Sequence, residues 1–463
     1  MGVTREIVGF VHESRFEGLS PEVVQRAKDL IADAIGVMLA GAREDGSRIL
    51  RRHAKQSGAK SRATVVAGGF KTSPANAALV NAAAGHALDY DSIQLSSWPG
   101  TAHGIRIHPT VPALAAALAV GEPLAVPGKL VILATVLGIE VACRVTEAIP
   151  PDAYPVAYQS TATMGGLGAA AAAGKLLRLK PDALMRAFGL AATMAGGLRE
   201  NFGTMTKPFH SGRAAESGVI AAELARAGFT AAPDVLEARR GFFLAMGGKH
   251  DEAQILGRLG RPHFLIDPGL HIKRYPCAIL IHPAIKEMIA LRSKGDLDSD
   301  QIEKITVHVS EIVTSTLNHP RPSTGLEAKF SVAFPLALAL AEGKVGLRDF
   351  TDEKVREPKI KSLMERTEVV ADPAIAAAGG NEVSARITVE LSGGQRLKRA
   401  AGLEKGTAQE WISEAELRAK FEDAASRALP QREIERIWGL LAKLDRLPSI
   451  APMMKIARAG RVG

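Results

Sequence analysis

The 463-residue chain has only two cysteines, four tyrosines and three tryptophans, and aromatic residues make up 5% of it. Cys143 and Cys277 cannot supply the thiolates of an iron–sulfur cluster or a four-cysteine zinc site, and they suggest no disulfide framework. The few aromatics are not interleaved with any dense basic block, so nucleic-acid binding is not expected. Long apolar runs are also missing. Each is broken within about a dozen residues by Gly, Pro or a charge, short of the roughly 18 needed to span a bilayer, so no membrane segment is expected. The segment from Met1 to Ser14 has a lone Arg5 and no signal-peptide core, which points to the cytoplasm. Neither G-x-S-x-G nor H-E-x-x-H occurs, which removes two common hydrolase signatures.

What remains is 46% hydrophobic and 23% charged, enough for a sizeable core; at roughly 100 to 200 residues per domain it should form two or three domains. The 58 Lys and Arg against 49 Asp and Glu give a formal charge of +9, which suits a small acidic ligand as well as it suits a merely solvated basic surface.

Most of the first 265 residues read as helix. Ser20-Pro21-Glu22 offers an N-cap, a proline at the first helical position and an early acid; Val24, Ala27, Ile31, Ala34, Ile35 and Met38 then recur at helical spacing until Gly41. Ser73-Pro74 opens another helix in the same way. Ala- and Leu-rich helices are expected at 110–121, 127–147, 161–178, 181–196 and 212–227, and their Ala and Gly content implies close helix-to-helix approach. Gly166-Leu167-Gly168 imitates a dinucleotide fingerprint but follows no strand, and Gly174-Lys175 imitates a phosphate loop whose first glycine is Ala169. Both are helix-packing runs. Beyond Asp300 the pattern is mixed: Ile305–Val309 and Ala385–Leu391 alternate at period two, and Gly393-Gly394 leads to a hairpin partner over 395–400. Helices are expected between these strands at 328–342, 349–355 and 359–364, and again after Gly406. The fold class is therefore mainly α, with a large all-helical domain (1–268 and 405–463) and a smaller α+β lid domain (269–404).

Three clusters of polar groups interrupt the Ala-rich sequence. The first is Gly85-His86-Ala87-Leu88-Asp89-Tyr90-Asp91 with His103 and His108-Pro109; the second runs from Arg199 through Lys207 and His210 to Arg213; the third is Lys273-Arg274-Tyr275-Pro276-Cys277 with His282. Singly, each has a plain structural explanation: the aspartates cap turns, His108 packs before a proline, and Arg213 pairs with Glu216. Jointly, three cation-plus-imidazole clusters favour a site where two domains meet.

These strings, with Asp33–Gly41, Thr204–Ala215 and Glu327-Ala328-Lys329-Phe330-Ser331, resemble the MmgE/PrpD family over nearly the whole chain and in the family's order. The resemblance implies a helical domain with an α+β lid, a homodimer, and cofactor-independent chemistry on small polycarboxylates, whether dehydration, decarboxylation or epimerisation. It also puts Asp89, His108 and Lys207 at functional positions between the domains. Gln159 stands where the family's decarboxylases have a histidine, and Phe334 where they have a tyrosine; Tyr154 or Tyr158 is a candidate replacement acid or base, though an ordinary packed tyrosine is the simpler reading of either.

All three reactions develop negative charge beside a carboxylate while a proton moves. Lys207 is suited to neutralise that charge, Asp89 with His108 to transfer the proton, and Arg199, Arg213 or Lys273 to hold substrate carboxylates. His86, Asp91, Gln159, His210 and Tyr275 complete the candidate binding set. Two other readings stay open: a metal-dependent hydrolase built on His86, Asp89, Asp91, His103 and His108, and a carboxylate-binding protein without catalysis.

Overall fold

A computed structural model describes residues 2–95, 107–293, 299–377, 385–402 and 411–460. Nine principal helices build the first part: α1 (Val3–Glu13), α2 (Pro21–Gly41), α3 (Asp45–Gln56), α4 (Pro74–His86), α5 (Thr110–Gly121), α6 (Gly128–Glu147), α7 (Ser160–Leu176), α8 (Pro181–Thr193) and α9 (Thr206–Arg226). The Ser20 and Ser73 hydroxyls accept from the backbone N–H groups of Val23 and Asn76, so both expected caps are formed. α7 packs on α5, α6, α8 and α9. The small residues make this possible: a Cβ on Gly168 would lie 2.5 Å from the Gly138 carbonyl oxygen, and one on Gly218 would lie 2.5 Å from the Ala170 nitrogen.

The sheet lies in the later part, in the order β4 (Thr367–Ala371), β3 (Ile302–Val309), β5 (Ala385–Leu391) and β6 (Arg396–Ala401), with β3 parallel to β4 and antiparallel to β5. A two-stranded β1 (Ala63–Thr64) and β2 (Lys71–Thr72) ribbon sits among the helices. Two large apolar cores result, beside two small clusters. One gathers residues from 3 to 270 together with 421–457; the other joins Ile305, Val307, Ile387 and Val389 of the sheet to helices His282–Ser293 and Ala333–Glu342.

The chain then returns: helix Glu414–Ser426, closed by a Ser413/Glu416 capping box, packs on α2, and its Lys420 meets Asp33 at 2.6 Å with both side chains buried.

The structure corrects several boundaries. The helix expected at 212–227 begins at Thr206, so Lys207 lies in its first turn, where Pro208 lacks an N–H that would have had no helical partner. The expected 328–342 helix is two, Gly325–Ala328 and Ala333–Glu342, with Lys329 in the break. Helices α1 and α3 and strand β4 were not expected. β4 is a short edge strand with no fully buried position, which leaves little period-two signal.

Candidate active site

α4 ends at His86, and the chain turns sharply through Asp89, whose φ of 51° is left-handed. This turn points Asp89 and Asp91 at different partners. The Asp89 carboxylate lies between two ammonium groups, Lys207 of α9 on Oδ1 and Lys273 on Oδ2 at 2.7 Å. Burial pushes the Asp89 carboxyl up, but the two lysines outweigh it and hold it well below the usual carboxylate range. Asp91 instead faces imidazoles: His86 Nδ1 lies 2.9 Å from Oδ1 and His108 Nδ1 3.2 Å from Oδ2. The first contact is an aligned hydrogen bond. The second is proximity only, because His108 Nδ1 is buried with no hydrogen-bond partner among the described residues.

Burial lowers the pKa of both histidines despite Asp91, that of His86 to about 4, so they are neutral near pH 7. Gln159 bridges two of the rings, its Oε1 2.5 Å from His210 Nδ1 and its Nε2 3.4 Å from His86 Nε2. With His210 donating to the amide oxygen and the amide donating to His86, the His86 Nδ1–H is left to donate to Asp91.

A cavity of about 480 Å³ opens on this cluster, lined by Asp89, His108, Gln159, Arg199, Lys207 and Lys273, with Phe202 and Phe330 as apolar wall. Its other side is formed by 278–280 and 310–312, so both parts of the chain contribute. The cations cluster as the sequence suggested: two lysines against the one carboxylate of Asp89 leave one positive charge, and Arg199 adds a second.

The expected pairing of Asp89 with His108 is not what forms. Asp89 is taken up by lysines, and Asp91 is the carboxylate beside His108. Arg213 is ion-paired with Glu216 on α9, half-exposed and off the cavity wall. Tyr275 packs on His282 at 5.1 Å between ring centres and does not line the cavity either. Tyr154 and Tyr158 do line it; the Tyr154 hydroxyl is 2.8 Å from Thr163 Oγ1, and burial raises its pKa. His103 lies outside the described residues. Of the five residues of the metal reading, His86, Asp91 and His108 place one donor atom each within 4.8 Å of one another, a set that suits a divalent cation, while Asp89 turns away to its lysines.

Sequence comparison gives this arrangement its context. Residues 5–254 match the MmgE/PrpD N-terminal domain, and residues 275–446 match the MmgE/PrpD C-terminal domain. The chain belongs to the MmgE/PrpD family. It is similar to cis-aconitate decarboxylase from Aspergillus terreus, 28% identical over 98% of this chain and 96% of that protein, and to the Mus musculus protein of the same name, 25% identical over 99% and 94%. A shorter likeness, 24% identical over 60% of this chain and 61% of the relative, links it to 2-methylcitrate dehydratase of Salmonella typhimurium. Within the MmgE/PrpD frame, two buried lysines near the cavity, Lys329 and Lys420, have contacts that the sequence did not suggest. Their signal was slight: Lys329 stood in a quoted motif without a role, and Lys420 sits on a helix with many charges.

Proposed function

We propose that the chain is a lyase acting on small tricarboxylates of the cis-aconitate and 2-methylcitrate class, in the cavity between its helical part and its α+β part. The observation that carries this reading is the Lys207–Asp89–Lys273 cluster on the cavity wall beside a neutral His108. The relatives' names support the substrate class. Loss of carbon dioxide and loss of water both need the same things here: cations to hold carboxylates, a charge partner for the electron pair left on carbon, and a group that moves one proton.

Arg199 and Lys273 hold substrate carboxylates, and Lys207, carried on the rigid first turn of α9, faces the developing enolate charge. His108, neutral because buried, gives or takes the proton through Nε2. Asp91, 3.2 Å from its Nδ1, steadies the ring when charged. Epimerisation next to a carboxylate uses the same groups. The reading includes a homodimer and turnover without added metal or nucleotide.

The test is incubation with cis-aconitate, 2-methylcitrate and 2-hydroxy dicarboxylates in deuterated water, followed by proton NMR. Decarboxylation, elimination and epimerisation leave distinct signals. Turnover should persist in EDTA; activity lost on chelation and restored by one divalent ion would favour a metal at His86, Asp91 and His108 instead.

A further inference from the structure

Three consecutive carbonyl oxygens at the turn after α4 are each gripped by a lysine from elsewhere in the chain. Lys329 Nζ donates to the Leu88 oxygen at 3.0 Å, Lys273 Nζ to that of Asp89 at 3.0 Å, and Lys420 Nζ to that of Tyr90 at 2.9 Å. All three lysines are buried. They come from three separate places: the stretch before His282, the break between helices Gly325–Ala328 and Ala333–Glu342, and helix Glu414–Ser426.

The two outer lysines are held differently. Lys420 has the Asp33 carboxylate at 2.6 Å and lies 3.9 Å from the centre of the Tyr90 ring. Lys329 has no carboxylate partner among the described residues; it donates also to the Pro276 oxygen at 3.1 Å and lies 4.6 Å from the centre of the Phe350 ring. Burying an ammonium is costly, so such contacts need a compensating task. The oxygens they hold belong to a turn whose central residue, Asp89, is a non-glycine in the left-handed region, a conformation that persists only where the surroundings impose it.

We propose that Lys329 and Lys420 are positioning residues for the reaction: by fixing the Leu88 and Tyr90 carbonyls they hold the turn that aims Asp89 at Lys207 and Lys273 and Asp91 at the two histidines. They touch neither substrate nor proton. They act through the backbone, and they couple the seating of the later chain segments to the geometry of the two carboxylates. The proposal rests on the reading of Asp89, Asp91 and His108 as reaction machinery.

Its test is kinetic, on whichever of cis-aconitate or 2-methylcitrate the protein turns over. Lys329→Ala removes the ammonium beside a second cavity of about 1160 Å³ that is lined by Leu88, Lys329 and Phe350, so a small amine can reach the vacated space. The expected result is a kcat about 10- to 100-fold lower with KM within about threefold, as when reacting groups are misplaced by a fraction of a bond length, and partial recovery of kcat with ethylammonium. For Lys420, the variant is Lys420→Met combined with Asp33→Asn, which avoids a buried unpaired carboxylate and should give the same kcat loss. Should Lys329→Ala not fold, Lys329→Met keeps the stem and is read in the same way, without the amine.

The inference is overturned if a folded Lys329 variant or the double variant works within about twofold of the parent, or if ethylammonium restores nothing to a folded Lys329→Ala. Asp89→Asn and His108→Ala run alongside separate the two readings. If they are inactive while the lysine variants work, only the positioning role falls; if they are active, the site itself is misassigned.

Discussion

At the residue scale the sharpest expectation concerns Lys207. Its ammonium is buried against Asp89 on the cavity wall, and Lys207→Ala should lower kcat at least about 100-fold, the usual loss when a charge stabilising the transition state is removed. A solvated lysine would instead change stability by less than about 0.5 kcal/mol and leave kinetics alone; near-parental turnover would therefore reject the assignment. His108→Ala should behave like it, whereas Arg213→Ala, which breaks only a half-exposed pair with Glu216, should keep its kinetics. Which residue types gathered was legible in the sequence, because imidazoles, acids and lysines stood out in Ala-rich surroundings. Their pairing was not. Asp89 and Asp91 are two positions apart, and the left-handed φ of Asp89 decides which of them meets the lysines. Aspartate tolerates that conformation better than most residues, but Asp91 is an aspartate too, so residue type does not say which of the two adopts it.

At the scale of elements, capping signals and 3.6-residue periodicity located α2, α4 and α5 to α8 well, since these helices carry Ser-Pro starts or uniform apolar faces. Residues before a proline were harder. A residue before a proline is ordinarily biased away from helix, yet Lys207 is helical because Pro208 falls in the first turn of α9, where a missing N–H costs nothing. Close packing can be tested with two glycines. Gly168→Ala puts a methyl group 2.5 Å from the Gly138 oxygen and should destabilise by about 1–3 kcal/mol. Gly9→Ala on α1 meets nothing within 4 Å and should stabilise by about 0.5–1 kcal/mol. Urea unfolding of the two variants should move in opposite directions; equal shifts would mean that the α6–α7 contact is looser than described.

For the whole molecule, burial sets the acid response. His86 and His210 are lowered to about 4 by burial from an ordinary 6.5. The unfolded chain therefore takes up protons at these rings before the native one does, and stability should fall as pH drops from about 6.5 to about 4. Asp89 and Asp91, held well below the usual carboxylate range in spite of burial, add a loss in the same direction at lower pH still. A melting temperature unchanged between pH 7 and pH 5 would contradict this. Assembly is checked by light scattering, where a homodimer should give twice 48.9 kDa.

The pair of Asp33 with Lys420 spans most of the chain, from α2 to the helix that returns to it. During synthesis α2 leaves the ribosome long before that helix does. Until Lys420 emerges, Asp33 lacks the ammonium that covers it and the Tyr90 carbonyl lacks that donor. A nascent chain can thus build most of its helical core, and bring Lys207 and Lys273 to Asp89, before Lys420 emerges to cover Asp33 and the Tyr90 carbonyl.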